Sequence, residues 1–385
     1  MAASGPTLEG EWRFLLAACS PNPQEAIGAS RSHIPRLRWK LLFELAEHHG
    51  VLPLLRQSLT TAPDIVPVDE MRALEKSYQT NLHKALLLSR EFIRVADRLD
   101  SIGAEFLPYK GLALAEAVYG DIALRQSGDI DLLIRPRDLP RICDAVRELG
   151  YTPHTLLSEA EQRAYLKSGY ECAFDCAAGR NLLEVQWATQ PRFYAVAYQM
   201  EGLFERAVPS TIAGRSVKTP CLEDLFIVLS LHAAKHVWGR LIWLCDLARI
   251  VNSPSLNWNW IGSQARKMGV ARILRVSLLL ANRLLGSTVP SDAESNLPRD
   301  SRIQALSEQI ERQMASQSAF DVESFDYFRL MIGLRERQAD RLKFLGRLVF
   351  TPGPGEWKVI RLPRALFSLY RLVRITRLLA RTVRS

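Results

Sequence analysis

Two aspartates in segment 125–134 (RQSGDIDLLI) are the side chains best suited to carry chemistry in this sequence. Alternate side chains of a strand share one face, so Asp129 and Asp131 point one way while the apolar residues beside them point to the core. Such neighbouring carboxylates repel each other unless a cation lies between them, and Mg²⁺ is the hard ion that prefers oxygen ligands. Two such ions about 4 Å apart clamp the attacking and leaving oxygens of a phosphoryl displacement. The two aspartates indicate this chemistry, although two solvated acids at the edge of a sheet would show the same pattern.

Two other segments add charged groups to this face. Lys110-Gly111 follows a short apolar run and is predicted to open a helix, where backbone N–H groups and the lysine can meet a phosphate. Glu184 alternates with apolar Leu183 and Val185 in LLEVQW, so it points away from the core as the aspartates do. A third carboxylate can act as a metal ligand or as the base that deprotonates an attacking hydroxyl.

The elements that must position these residues alternate between strand and helix patterns. Helices are predicted at 111–119 and 138–149, the second with Asp138 as its N-cap. Strands are predicted at 105–110, 129–134, 170–177 and 182–187, the last two joined by a turn at 178–181. This alternation indicates an α+β core of roughly a hundred residues.

Helical patterns flank this core on both sides. Before it, apolar residues recur at helical spacing over 10–100, with one long helix at 69–99, and after it helices are predicted at 222–238, 241–251, 261–285 and 292–318. The sequence TPGPG at 351–355 then breaks the chain. We expect a helical segment at 1–100, the core at 101–219, a helical domain at 220–345 and a basic tail at 346–385.

Length and composition exclude several classes of protein. The chain has 385 residues, 48% of them hydrophobic, and a net charge of +9. These values are unlike those of a disordered chain, a collagen, a disulfide scaffold or a bundle of membrane spans. The N-terminal residues lack the basic and apolar regions of a signal peptide, and the six cysteines are scattered. We therefore expect reduced thiols and a cytoplasmic protein.

The positive charge is concentrated in the tail. Residues 346–385 contain nine basic residues and one acid, Glu356, so a basic cleft for nucleic acid spread over the body is not expected. A helical wheel separates two sets of residues, Arg364, Arg371, Arg374, Arg377, Arg381 and Arg384 on one half and Leu369, Leu372, Ile375, Leu379 and Val383 on the other. Such a helix can lie on an anionic membrane through 356–385, peripheral to its inner face, dock an acidic partner or bind nucleic acid. It can equally pack its apolar half on the helical domain with the arginines in water.

Residues of the helical segments also invite a functional interpretation. His232 and His236 have the i, i+4 spacing of metal ligands, but residue 233 is not Glu, so helix packing beside the site is favoured. Asp246 lies among apolar residues, where we expect it to pair with one of these histidines or with Arg249. The pair His48-His49 precedes a glycine at a predicted helix end, where partial positive charge is favourable.

The core resembles a known superfamily. A glycine turn, a strand with Asp-x-Asp and an acid on a later strand form the pattern of polymerase-β-like nucleotidyltransferases. Within it, YKGLALAEAVYG, LRQSGDIDLLI, LLEVQW, LHAAKH and LCDLARIV are similar to the bacterial uncharacterised nucleotidyltransferases, over roughly residues 37–251. The resemblance implies a mixed sheet flanked by helices. It also implies Mg²⁺-dependent transfer of a nucleoside monophosphate from an NTP to an acceptor hydroxyl, with release of pyrophosphate.

The resemblance also implies roles for individual residues. Asp129 and Asp131 would hold two Mg²⁺ ions, with Glu184 as third ligand or base. The triphosphate would contact the residues of two turns, Lys110, Gly111, Arg125, Ser127 and Gly128. The sequence departs from the pattern at Leu112, where the superfamily usually has serine or glycine, and in the sixteen residues 113–128 before the strand. The departure leaves an alternative, a nucleotide-binding or scaffolding protein at the membrane that has lost catalysis. Neither the base of the NTP nor the acceptor is specified.

Overall fold

Helices precede and follow a small mixed sheet, which confirms the α+β class expected from the sequence. The computed structural model describes residues 9–29, 36–176, 182–316 and 324–382. The N-terminal helices are α1 (Glu9–Cys19), α2 (Pro23–Ala29), α3 (Trp39–His48), α4 (Leu52–Thr60) and α5 (Val68–Ser101). The long helix predicted at 69–99 is thus confirmed as α5.

The sheet that carries the acids has five strands in the order β1-β2-β5-β4-β3. They are β1 (Phe106–Pro108), β2 (Asp129–Ile134), β3 (Tyr151–Pro153), β4 (Glu171–Cys176) and β5 (Leu182–Gln186). Strands β2 and β5 run parallel, and the other neighbours are antiparallel. The intervening helices are α6 (Leu112–Leu114), which continues as a π-helical turn (Ala115–Tyr119), α7 (Leu139–Glu148) and α8 (Glu159–Ser168).

A short helix and a separate hairpin lead from the sheet to the C-terminal helices. They are α9 (Met200–Glu205), β6 (Val208–Ile212) and β7 (Arg215–Thr219). The helices that follow are α10 (Leu222–Lys235), α11 (Leu241–Val251), α12 (Trp258–Met268), α13 (Ala271–Leu285), α14 (Ser291–Asn296), α15 (Ser301–Ser316), α16 (Phe325–Gly333), α17 (Gln338–Phe350), α18 (Pro354–Val359) and α19 (Tyr370–Thr382). Among the helices described, none is both long enough and apolar enough to cross a bilayer.

Apolar side chains cover both faces of the sheet. Ile130 and Leu132 of β2 are buried in one cluster with residues of α5 and α7, including Phe92 and Ile142. Leu133, which points the other way, belongs to a second cluster that contains much of α10, α11 and α13. The alternation in β2 therefore gives one face to the α5–α7 layer and turns the other, which carries the aspartates, toward the C-terminal helices.

Several predicted helices are shorter than expected because special backbone conformations interrupt them. The helix predicted at 261–285 is two helices, since Gly269 adopts φ +68° at the end of α12. The region 292–318 is divided between α14 and α15, with Leu297 extended between them. The helix predicted at 111–119 contains only α6 and the π-helical turn.

Other local expectations need correction. Asp138 precedes α7 but its side chain caps no backbone group, because its carboxylate accepts from Arg141. The short strand β3 and the hairpin β6–β7 are not among the predicted strands. The turn predicted at 178–181 lies outside the described residues.

The C-terminal helix packs with arginines of its basic half toward the body, and not with its apolar half. Arg374 and Arg377 point inward, with nitrogens 3.2 and 2.7 Å from the Glu356 carboxylate. Leu372 and Leu379 of the apolar half are 60% and 61% exposed. A buried acid therefore selects two arginines of the basic half as the inward face of α19.

His49 is buried and neutral rather than a charged helix end. It is 1% exposed, its Nδ1 accepts the Leu241 N–H at 3.2 Å, and its Nε2 has no partner among the described residues. Burial, with help from His48 and Arg240, lowers the pKa of His49 to about 3.

This buried histidine makes stability sensitive to acid. The unfolded chain takes up a proton near the ordinary pKa of 6.5, whereas the folded chain resists it until about 3. The stabilisation is present above pH 6.5 and is lost as the pH falls toward 3. Between pH 7 and 5 the wild type should lose about 2 kcal/mol more of its free energy of unfolding than His49→Asn, whose amide oxygen can accept the same bond. Urea unfolding at both pH values measures the difference, and parallel losses in the two proteins would contradict it.

Candidate functional site

Three carboxylates meet where two parallel strands lie side by side. Asp129 and Asp131 extend from β2, and Glu184 extends from β5 directly opposite Asp131. One oxygen from each of the three lies within 4.8 Å of the others. The acids therefore lie together on the strand face that the alternation in both strands predicts. This spacing suits oxygen ligands around a hard divalent cation.

Lys110 and Gln186 are the donors that contact this cluster. The Lys110 Nζ lies 2.8 Å from Asp131 Oδ1. The Gln186 amide donates to Asp131 Oδ1 at 3.3 Å and to Glu184 Oε2 at 2.9 Å, and its oxygen accepts from Tyr109. Gln186 was not singled out in the sequence, although it follows Glu184 by two positions on the same strand face.

Several carboxylate oxygens of the cluster remain without a hydrogen-bond donor. Among the described residues, no hydrogen bond reaches either oxygen of Asp129, Oδ2 of Asp131 or Oε1 of Glu184. Buried or half-buried carboxylates without donors are costly, because desolvation disfavours the charged form. The free oxygens are therefore available as ligands, and the donor set fits a hard cation such as Mg²⁺.

The pKa values show how crowded the negative charge is. Burial, and then the neighbouring Asp131, raise the pKa of Asp129 to about 6 and the pKa of Glu184 to about 8. Burial opposes the charge on Lys110, but Asp131 and Glu184 outweigh it and raise the lysine pKa. One ammonium thus compensates only part of the cluster, and the chemistry of the site calls for a further positive charge.

The turn beside the cluster depends on a glycine. Gly111 has φ +51°, and a Cβ at this position would lie 3.1 Å from the backbone oxygen of Asp129. The turn therefore lies directly against the first residue of β2, which places Lys110 beside the acids. Leu112, where the superfamily pattern has serine or glycine, is 5% exposed and points into the cluster with α5. Its side chain does not enter the site.

Arg125 is fixed by a carboxylate far along the chain. Its guanidinium makes bonds of 2.9–3.2 Å to Asp246 on α11, and its Nη1 lies 3.4 Å from Ser127 Oγ. Asp246 also accepts from Tyr119, so the partners predicted for it, the histidines or Arg249, were wrong. The contact of Arg125 with a triphosphate stays a prediction. In the structure, Arg125 connects the loop before β2 to the C-terminal helices through its ion pair with Asp246.

Another cation near the site was not found from the sequence. A Cβ on Gly128 would lie 3.7 Å from the Nζ of Lys84, and Lys84 also lowers the pKa of Asp129. Lys84 belongs to the long helix α5, more than forty residues before the strand, and has no distinctive local pattern. Only the packing of α5 against β2 brings it here.

His232 and His236 pack against each other beside the site with tilted rings, in agreement with the packing interpretation. Their rings lie 4.9 Å apart, and Trp243 contacts both at 5.2 and 5.5 Å. Burial, together with nearby lysines, lowers the pKa of both, to about 3 for His236. The pair is therefore neutral and apolar in character, and it lies outside the acidic cluster.

A cavity of about 360 Å³ opens next to these helices. Lys235 lines it and donates from Nζ to the Tyr170 hydroxyl at 2.8 Å, while burial lowers the pKa of Lys235 to about 8. Glu171, whose carboxylate interacts with the Tyr170 hydroxyl, accepts from the Gln186 amide at 3.2 Å, and this amide also donates to the acids. A continuous polar path thus leads from the cavity to the cluster.

The same part of the chain matches one family. A family model described as an uncharacterised nucleotidyltransferase matches residues 35–286, which include all the acids of the cluster, Lys110 and Asp246. No curated protein and no solved structure gives a significant match. The match covers more than half of the chain, and the sheet with its acidic cluster is consistent with a nucleotidyltransferase core. The chain therefore belongs to this uncharacterised nucleotidyltransferase family.

Proposed function

We propose that the protein transfers a nucleoside monophosphate from an NTP to an acceptor hydroxyl with the help of Mg²⁺. The observation that carries this proposal is the meeting of Asp129, Asp131 and Glu184 within 4.8 Å on two parallel strands. A cluster with so many free carboxylate oxygens has little structural use, because like charges destabilise one another. With metal ions bound, it would suit a displacement whose pentacoordinate transition state and leaving group carry negative charge.

Asp129 and Asp131 would hold the metal ions, two by the superfamily pattern, with Glu184 as third ligand or base. When bound, Mg²⁺ would polarise the phosphoryl oxygens and offset the charge of the leaving pyrophosphate. Lys110 adds a fixed positive charge to Asp131, and Gln186 orients both Asp131 and Glu184 through its amide. The chain's own contribution is thus to hold the acids in place.

The triphosphate would lie over the two turns that meet at the start of β2. Lys110 and Gly111 form one turn and Ser127 and Gly128 the other, and the glycines let backbone and phosphate approach closely. Arg125 supports this surface, because its Nη1 lies within hydrogen-bond distance of the Ser127 hydroxyl. It is also the arginine nearest to Ser127 and Gly128 in the sequence. Lys84 is an additional positive charge beside Gly128.

The acceptor would occupy the cavity beside Tyr170 and Lys235. Its volume, about 360 Å³, is in the range of small-molecule sites. Aromatic rings, Lys235 and the arginines of α19 line it, which suits a hydroxyl compound that also carries an anionic group. The path through Glu171 and Gln186 connects this space with Glu184.

Replacement of Asp129 tests the metal site with the least damage to the fold. Because Asp129 accepts no hydrogen bond from described residues, Asp129→Asn should stay folded and lose the Mg²⁺-dependent part of NTP binding, with transfer slowed roughly 100-fold or more. Calorimetric titration of the four NTPs, with Mg²⁺ and with chelator, measures binding. Asp175→Asn, an acid of β4 outside the cluster, is the matched control and should behave as wild type. Unchanged Mg²⁺-dependent binding in Asp129→Asn would refute the assignment, whereas a wild type that binds no NTP would favour the non-catalytic scaffold.

Asp131 should matter for both stability and function. Asp131→Asn leaves the buried Lys110 ammonium without its anion, so the free energy of unfolding should fall by about 3 kcal/mol. In Asp131→Asn/Lys110→Met the buried ammonium is removed as well, so much of the stability should return while Mg²⁺-dependent NTP binding stays absent. Denaturant unfolding and calorimetry separate the two effects. Recovery of binding in the double variant would show that Asp131 only balances the lysine.

Protons should compete with the metal in a pH range set by the raised pKa values. Glu184 has a pKa of about 8 and Asp129 of about 6 in the metal-free protein, so Mg²⁺ affinity should fall roughly 50- to 100-fold from pH 8 to pH 6. Without metal, these two acids bind more protons in the folded chain than in the unfolded one, so their contribution to stability should decrease as the pH rises from about 4.5 to 8, opposite in sign to that of His49. Mg²⁺ titrations at several pH values test this. Glu184→Gln should flatten the dependence, and an affinity independent of pH would contradict it.

A further inference from the structure

The C-terminal helix α19 is fixed to the body by its polar side. Glu356 is 1% exposed and accepts hydrogen bonds from Arg374 at 3.2 Å and from Arg377 at 2.7 Å. Tyr370, at the start of α19, is 1% exposed, and its hydroxyl bonds the backbone of Ile360 and Leu362. These residues recur at i, i+4 and i+7, so one face of the helix is held by hydrogen bonds.

The opposite face leaves leucines in solvent. Leu372 and Leu379, one i, i+7 pair on α19, are 60% and 61% exposed. The segment before the helix exposes four more large apolar side chains, Val359 at 65%, Ile360 at 47%, Leu366 at 44% and Leu369 at 41%. We call these six residues the leucine face. So many exposed apolar side chains in one short segment mark an interaction surface.

The exposed charge within the C-terminal segment has one sign. Glu356 is the single acid in residues 346–385, and it is buried. The exposed arginines among the leucines are Arg361, Arg364 and Arg371, and the exposed Lys358 adds a fourth positive charge. Because the ion pairs with Glu356 neutralise only inward-facing arginines, the exposed side chains that the structure describes in residues 356–382 carry positive charge and no acid.

We propose that the leucine face and its three arginines bind the surface of an anionic lipid membrane. An amphipathic segment that combines exposed leucines with basic residues lies in the lipid headgroup region, with apolar side chains toward the acyl chains and cations at the phosphates. Duplex nucleic acid offers the phosphates but no apolar partner for six side chains. The observation is independent of the acidic cluster, so the proposal stands apart from the proposed enzymatic function.

The structure also indicates that this surface is formed before it meets a membrane. The ring of Trp357 packs 6.4 Å from Tyr370 and 6.2 Å from Tyr165 of α8, and Arg374 bonds the backbone oxygen of Leu348. The helix is therefore ordered on the body, with the leucine face already outward. Binding should not require the large gain of helix that accompanies the folding of a free peptide on lipid.

Co-sedimentation of the full chain with vesicles tests the proposal. The wild type should bind vesicles of 70% phosphatidylcholine and 30% phosphatidylglycerol and bind pure phosphatidylcholine at least tenfold more weakly. Leu372→Gln/Leu379→Gln should reduce binding to the anionic vesicles at least tenfold. Leu86→Gln/Leu87→Gln, which changes leucines of 50% and 53% exposure on α5, is the matched control and should leave it unchanged.

Charge and alternative partners are separated by two further measurements. Arg364→Gln/Arg371→Gln should weaken binding to anionic vesicles at low salt and leave thermal unfolding unchanged, since both arginines are exposed. Equal binding of wild type and the Leu372/Leu379 variant, no binding of the wild type to anionic vesicles, or tighter binding to a DNA duplex would each overturn the proposal. The assays contain no nucleotide and no Mg²⁺, so their result is independent of whether the protein is an active transferase.

Discussion

Mutual repulsion among three carboxylates is the constraint around which this molecule is organised. The parallel pairing of β2 with β5 places Asp131 opposite Glu184, and Asp129 lies two residues away on the same face. Burial and the charge of Asp131 disfavour that arrangement, and they raise the pKa values of Asp129 and Glu184. The surrounding residues are explained by this need: a lysine from the adjoining turn, and a glutamine that donates to two acids.

The cost of the cluster also explains why distant parts of the chain converge on it. Gly111 brings its turn against β2, and the pair Arg125–Asp246 links the loop before β2 to α11 across 121 residues. Asp246 is fully buried, so breaking this link would leave an unpaired charge in the core. The sheet and the C-terminal helices are therefore joined at the edge of the site by a contact that fixes where the two turns lie.

What the sequence predicted correctly were features set by local periodicity. The alternation in DIDLLI defines β2 residue for residue, the pattern LLEVQW gives the face of Glu184, and the apolar stripe of α5 gives its length within two residues at each end. Contacts between residues far apart in the chain could not be predicted, because nothing in the sequence near Arg125 indicates that it pairs with Asp246. In the same way, nothing near Lys84 indicates that it lies beside Gly128. The tail shows the same limit in another form. A helical wheel divides arginines from leucines, but only a buried acid, Glu356, decides which half faces inward.

The region that the family model matches contains the acids but only part of the cavity wall. Every residue of the acidic cluster lies within residues 35–286, as do Tyr170 and Lys235 at the mouth of the cavity. The opposite wall comes from residues beyond that region, including Phe328, Glu356, Arg374 and Arg377. The ion pairs that turn the leucine face outward are thus also part of the cavity wall. If the acceptor occupies this cavity, its selection depends on the C-terminal segment.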